Sequence, residues 1–130
     1  MIELTDLLGL PWKRGAHGPE AYDCWGLVWE VQRRLGVDVP MILDPPASVL
    51  GVAKLFRDSD VRDMLTEVER PVHGSIVEMS HSARPYHVGA YLDIDRGGII
   101  HSIGKLGVQF DRMPNLKAAG WSNFTYYVIE

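Results

Sequence analysis

The chain has 130 residues, 46% apolar and 23% charged, with a net charge of −4 and a pI near 5.7. That is enough chain for one compact domain with a hydrophobic core, so residues 1–130 are read as a single domain. The acidic balance excludes a general nucleic-acid binder, which is normally basic, and no apolar run approaches the roughly 18 residues of a membrane span. Lys13-Arg14 and Arg33-Arg34 are small basic clusters and read as solvated surface. One cysteine, Cys24, leaves no internal disulfide and no multi-cysteine zinc site. The opening residues carry neither a basic run nor an apolar stretch, so no secretory signal is expected and synthesis is expected in the cytosol.

In chain order, residues 4–10 form an apolar stretch closed by Gly9 and Pro11 and predict a short helix. Residues 12–22, with Gly15, Gly18 and Pro19, predict a loop. The clearest helix follows. Asp23 is a good N-cap, and Cys24, Leu27, Val28, Val31 and Leu35 recur at helical spacing on one face. Arg33 and Arg34 suit the negative end of the dipole and Gly36 can end the helix, which is predicted over 24–35. After Pro40, Pro45 and Pro46, residues 47–57 and 61–68 predict two short helices, the second capped by Asp60. Residues 41–70 are therefore read as a helical insert that covers the core.

Beyond Pro71 the pattern alternates. Residues 75–79, 86–93, 99–103, 107–110 and 125–129 predict strands, and Asp95-Arg96-Gly97-Gly98 predicts the turn of a hairpin. Helices followed by a strand meander give an α+β domain with an antiparallel sheet.

The chemistry-bearing residues are Cys24, His87 and His101. Cys24 follows directly on the cap, where the positive end of the helix stabilises a thiolate and can bring a thiol from about 8.5 into roughly the 3.5–7.5 range. His87 opens a strand, and alternation sets His87, Gly89 and Tyr91 on one face and Val88, Ala90 and Leu92 on the other. Gly89 is expected to admit the close approach of the helix that bears the thiol. His101 lies on the next strand, where a third polar group would orient the base and fix its tautomer. A two-residue turn at Arg96-Gly97 would put the two histidines on opposite faces, so an odd-length loop or a bulge is expected near Gly97-Gly98.

Asp23-Cys24-Trp25-Gly26-Leu27-Val28, Gly74-Ser75-Ile76-Val77, His87-Val88-Gly89-Ala90-Tyr91-Leu92 and Ile100-His101-Ser102, in this order, resemble the NlpC/p60 cell-wall peptidase family. The resemblance implies a papain-like fold with the Cys helix packed on an antiparallel sheet. It implies Cys24 as nucleophile, His87 as general base and His101 as the residue orienting it. The implied substrate is the peptidoglycan stem peptide, cut between D-γ-glutamyl and a diamino acid, and no cofactor is implied. Gly9-Leu10-Pro11-Trp12, Trp25 and the unadorned domain resemble the phage tail-associated branch. Its members need no signal peptide because the virion delivers them, so tail-tip or hub proteins are the expected partners and the virion tail the expected location.

Trp12 stands where the family commonly has a Tyr that helps bind the oxyanion, which shifts that task toward the Cys24 backbone N–H. Trp25 replaces a common Ser and Ser75 a common Asp, and the spacing between the two histidines is longer than usual. Trp12, Asp23, Trp25 and His17 are the expected substrate-binding or oxyanion residues. His73 and His81 are expected on surface loops. A metal set of His81, His87 and His101 lacks an acidic ligand, and no metal is expected. Two other functions stay open: a tail-tip structural protein with weak or lost activity, and an amidase or acyltransferase using the same thiolate.

Overall fold

The computed structural model describes residues 3–37, 65–82 and 84–129. A 3₁₀ turn (Thr5–Leu7) leads to helix α1 (Cys24–Arg34), and strands β1 (Leu65–Val68), β2 (Ile76–His81), β3 (Arg84–Leu92), β4 (Gly98–Ile103) and β5 (Gly107–Arg112) follow. A short helix α2 (Met113–Ala118) and strand β6 (Ser122–Ile129) end the chain. All strands join one antiparallel sheet in the order β1-β6-β2-β3-β4-β5. Among the described residues no helix is long and apolar enough to cross a membrane.

The strand alternation sorts the core into two layers. Leu27 and Val31 of α1 pack on Ala90, Leu92, Ile100 and Val108, and Trp25 and Val28 pack on Leu65, Ile76, Val88 and Tyr127. The opposite face carries Val77, Met79 and Ile99, covered by Leu116 of α2 and by Trp121. Ionic contacts fasten the N-terminus to α1. Arg34 donates to Asp6 at 2.7 and 2.8 Å and to the buried Glu30 at 2.7 Å. Burial pushes the Glu30 carboxyl up, and hydrogen bonds from Arg33 and Arg34 more than offset it, leaving it below its ordinary value.

Two expectations change, and one helix is added. Only Thr5–Leu7 of the first helix forms, because Gly9 N–H donates to Val108 O and Leu10 O accepts from Val108 N–H, so this segment is committed to the edge of β5. Leu65–Val68 is a strand and not a helix. Its apolar spacing suits either structure, and pairing with β6 decides between them. The helix expected over 47–57 lies outside the described residues. Helix α2 was not anticipated; its Pro114 sits in the first turn, where proline is tolerated.

Gly26 of α1 is the point of closest approach between helix and loop. A Cβ there would fall well inside contact distance of the Ala16 carbonyl oxygen and lie 3.0 Å from the His17 Cα. Helix propensity alone favours Ala over Gly by about 1 kcal/mol. The clash is with backbone, so Gly26→Ala is expected to destabilise by roughly 1–3 kcal/mol. Urea unfolding checks this, and a gain in stability would show that the 14–17 loop is not held against the helix.

Candidate active site

The site starts from a cap. Asp23 Oδ1 accepts from Gly26 N–H at 2.6 Å, and Oδ2 accepts from Gly15 N–H at 3.0 Å. One carboxylate thus starts the helix and holds the preceding loop. Desolvation pushes the Asp23 carboxyl above its ordinary value despite these donors. The next residue, Cys24, is half-buried against the Trp25, Val28 and Val88 cluster.

Cys24 lies on the α1 side of the sheet, whereas His87 lies on the other. An opening in the sheet reconciles the two positions. The β3–β4 ladder runs from Leu92↔Gly98 to Ala90↔Ile100 and stops there. Tyr91 N–H donates toward β2, to Ser75 O, so the Val88 N–H, three residues away, points to the β4 side, past the last rung. That N–H is near enough to the Cys24 thiol to act on its charge, favouring the thiolate. The sulfur therefore meets β3 at the residue following His87. Beside it, buried Ser102 Oγ donates to Tyr22 O at 2.7 Å and ties β4 to the residues leading into α1.

Burial, followed by the adjacent Asp23 carboxylate, pushes the Cys24 thiol up to about 12, although the N–H groups of Trp25, Val88 and Cys24 itself act to lower it. This reverses the expectation of a lowered thiol. The helix terminus does present its donors, but desolvation and a neighbouring negative charge outweigh them.

The histidines form a chain on the far face. His87 and His101 are buried, with 4% and 0% exposure. His87 Nε2 lies 3.0 Å from His101 Nδ1, and His101 Nε2 lies 2.8 Å from Asp111 Oδ2. Trp121 stacks on His87 with centroids 5.0 Å apart and planes at 30°, and meets His101 nearly edge-on at 5.9 Å. The loop over 93–97 has the odd length that the sequence required, with Asp95, Arg96 and Gly97 all at positive φ, and this puts both histidines on one face. Gly89 serves a different purpose from the one expected. A Cβ there would meet Ile100 O at 2.8 Å and His101 Cβ at 3.1 Å, so it admits β4 and not the helix.

A comparison with family models matches the NlpC/P60 family over residues 9–129. The chain belongs to the NlpC/P60 family. The helix on an antiparallel sheet is the papain-like arrangement of that family, and membership supports a cell-wall peptidase kind of function. A comparison with curated proteins found no match.

The other expected site residues scatter. Trp25 is core, 4% exposed. Trp12 is exposed, between Pro11, whose carbonyl accepts from Tyr22 N–H, and the 13–16 loop. His17 turns its ring edge to Trp29 at 6.2 Å. His73 is on the surface as expected, but His81 ends β2, bonds to Ala119 O at 2.9 Å and packs on Trp121. Among the described residues no group of three His, Cys, Asp or Glu is arranged as a metal set. A cavity of about 250 Å³ lined by Leu4, Leu8, Leu92, Ile94 and Phe110 opens at the other end of β3, away from Cys24.

Asp111 and Trp121 were missed. The signal for Asp111 was parity: the turn at Gly104-Lys105-Leu106 pairs Ile99 with Asp111, which gives Asp111 the face of His101. Trp121 follows a helix that the sequence did not reveal.

The raised thiol has a consequence for stability. Between its ordinary 9.0 and about 12 the unfolded chain releases the Cys24 proton while the native state keeps it. Native protein then binds more protons, so stability falls as pH rises through this window, by about 1 kcal/mol per unit. Urea unfolding at pH 8, 9.5 and 11 should show wild type losing stability relative to Cys24→Ala. Parallel curves would mean that the thiol is not held protonated.

Proposed function

We propose that the protein is a cysteine endopeptidase of peptidoglycan stem peptides, cutting between D-γ-glutamyl and a diamino acid, and carried to the wall as a component of a phage or prophage tail. Cys24 is the nucleophile, His87 the general base and His101 the residue that orients it. The observation that carries this reading is Cys24 packed against Val88, one residue from an imidazole that is itself bonded to a second imidazole. A nucleophile, a base and an orienter in series is the pattern of covalent acyl transfer.

The thiol is neutral at rest, and its proton moves to His87 as sulfur attacks the carbonyl carbon. The negative oxygen of the tetrahedral intermediate takes the Cys24 backbone N–H, at the positive end of α1. His87 then protonates the departing amine, leaving an acyl-enzyme. Water, deprotonated by His87, releases the carboxylic acid and restores the thiol. The tail location rests on the resemblance of Gly9-Leu10-Pro11-Trp12 and Trp25 to the tail-associated branch.

Trp12 in place of the oxyanion Tyr and a thiol pushed up to about 12 favour one second reading, a tail-tip structural protein with weak or lost peptidase activity. Purified muropeptides separate the two. Wild type is expected to yield the γ-glutamyl cleavage products by mass, Cys24→Ala none, and His87→Ala about 10²–10⁴-fold less. If no wall fragment is turned over and Cys24 alkylates no faster than a free thiol, the structural role stands instead.

A further inference from the structure

We propose that Asp111 is a positioning residue which, acting through His101, sets the tautomer of His87 and so selects His87 Nδ1 as the atom that receives the thiol proton. The functional meaning rests on the peptidase reading, but the proton order follows from hydrogen-bond chemistry alone. An ionised carboxylate can only accept, so His101 Nε2, 2.8 Å from Asp111 Oδ2, carries the proton of that contact. With one proton on each ring, His101 Nδ1 is then an acceptor, and His87 Nε2, 3.0 Å away, must donate to it. His87 is left with its lone pair on Nδ1. That nitrogen is bonded to Cγ, the ring atom nearest the main chain, and the Cys24 thiol contacts the main chain at Val88. The nitrogen that keeps its lone pair is thus on the backbone side of the ring, next to Val88, against which Cys24 packs.

The relay is dry along most of its length. His101 is fully buried, and Trp121, 8% exposed, covers both rings. When His87 takes the proton, its positive charge is held by the stacked indole face and, through His101, by the Asp111 carboxylate. The Asp111 side chain is 34% exposed, so it anchors the wet end of the chain. Among the described residues, the ionisable groups around the relay include Asp23 at the α1 cap, Cys24 of α1, His81 from β2 beyond Trp121, Tyr91 from β3 and Tyr126 from β6. Apart from Asp23, which is committed to the α1 cap, Asp111 is the acidic group among them.

Long-range ¹H–¹⁵N correlation spectra of uniformly labelled protein read the tautomers directly. His87 and His101 in wild type are expected as Nε2–H forms at mildly alkaline pH, and Asp111→Ala is expected to bring a second His87 tautomer into view. An Nδ1–H form of His87 in wild type, or unchanged tautomers in Asp111→Ala, would overturn the assignment. Iodoacetamide inactivation of Cys24 against pH gives the second readout. In Asp111→Asn, which keeps an acceptor oxygen but loses the charge, the plateau rate is expected to fall by roughly tenfold or more. Asp111→Glu should recover most of the rate, with melting temperatures confirming folded variants. An Asp111→Asn profile superimposed on wild type would sink the proposal. Should the tautomers be as expected while wild-type Cys24 reacts no faster than a free thiol, the peptidase reading fails and the Asp111 assignment stands.

Discussion

Everything in the site is referred to the buried carboxylate of Asp23. It accepts backbone N–H groups from both sides, Gly26 in the helix and Gly15 in the loop. A helix N-terminus leaves N–H groups unsatisfied, and a buried terminus cannot leave them to water. By accepting from Gly26, Asp23 makes Cys24 the first helical residue and fixes the direction in which its sulfur leaves the chain. By accepting from Gly15 it prevents the loop from drifting off the helix. Gly26 lets that loop pass against the helix backbone, so cap and glycine solve one packing problem together.

The second constraint is the incomplete pairing of β3 with β4. A fully zipped ladder would consume the Val88 N–H and close the sheet between the thiol and the imidazole. Here the ladder ends at Ala90↔Ile100, and other bonds hold the strands where the rungs stop. Ser102 binds Tyr22 O, which anchors β4 to the start of α1, and His87 and His101 bind each other across the gap. The polar groups that part the strands are the ones that carry the chemistry.

Much of this was legible in the residues. Asp23 followed by helical spacing located α1 to within a residue, because cap and amphipathic period are local signals. The two histidines share a face only through the odd-length loop expected near Gly97-Gly98, since a two-residue turn at Arg96-Gly97 would have separated them. Less legible was whatever depended on distant partners. Leu65–Val68 has spacing compatible with a helix and becomes a strand because β6 offers an edge. Residues 9 and 10 leave the expected helix for the edge of β5. Trp25 looked like a residue beside the substrate because it follows the thiol, yet the turn of the helix carries it into the core. Asp111 needed the register of a second hairpin before its charge could be connected to His101.

The electrostatics of the thiol decide how such a site can work. A cysteine at a helix terminus is readily taken for a resting thiolate, as the donors are in place. In this chain the same buried carboxylate that caps the helix sits next to the sulfur and disfavours negative charge there, and desolvation disfavours it further. Stabilisation of charge has therefore moved to the other partner. The imidazole has a stacked indole, a second imidazole and a carboxylate in line behind it. Capping and thiolate stabilisation compete for the same few ångströms, and a relay across the sheet is the arrangement that keeps the cap while providing a base. The position of Asp111, on the opposite face and partly in water, follows from that competition: a second carboxylate any nearer would raise the thiol again.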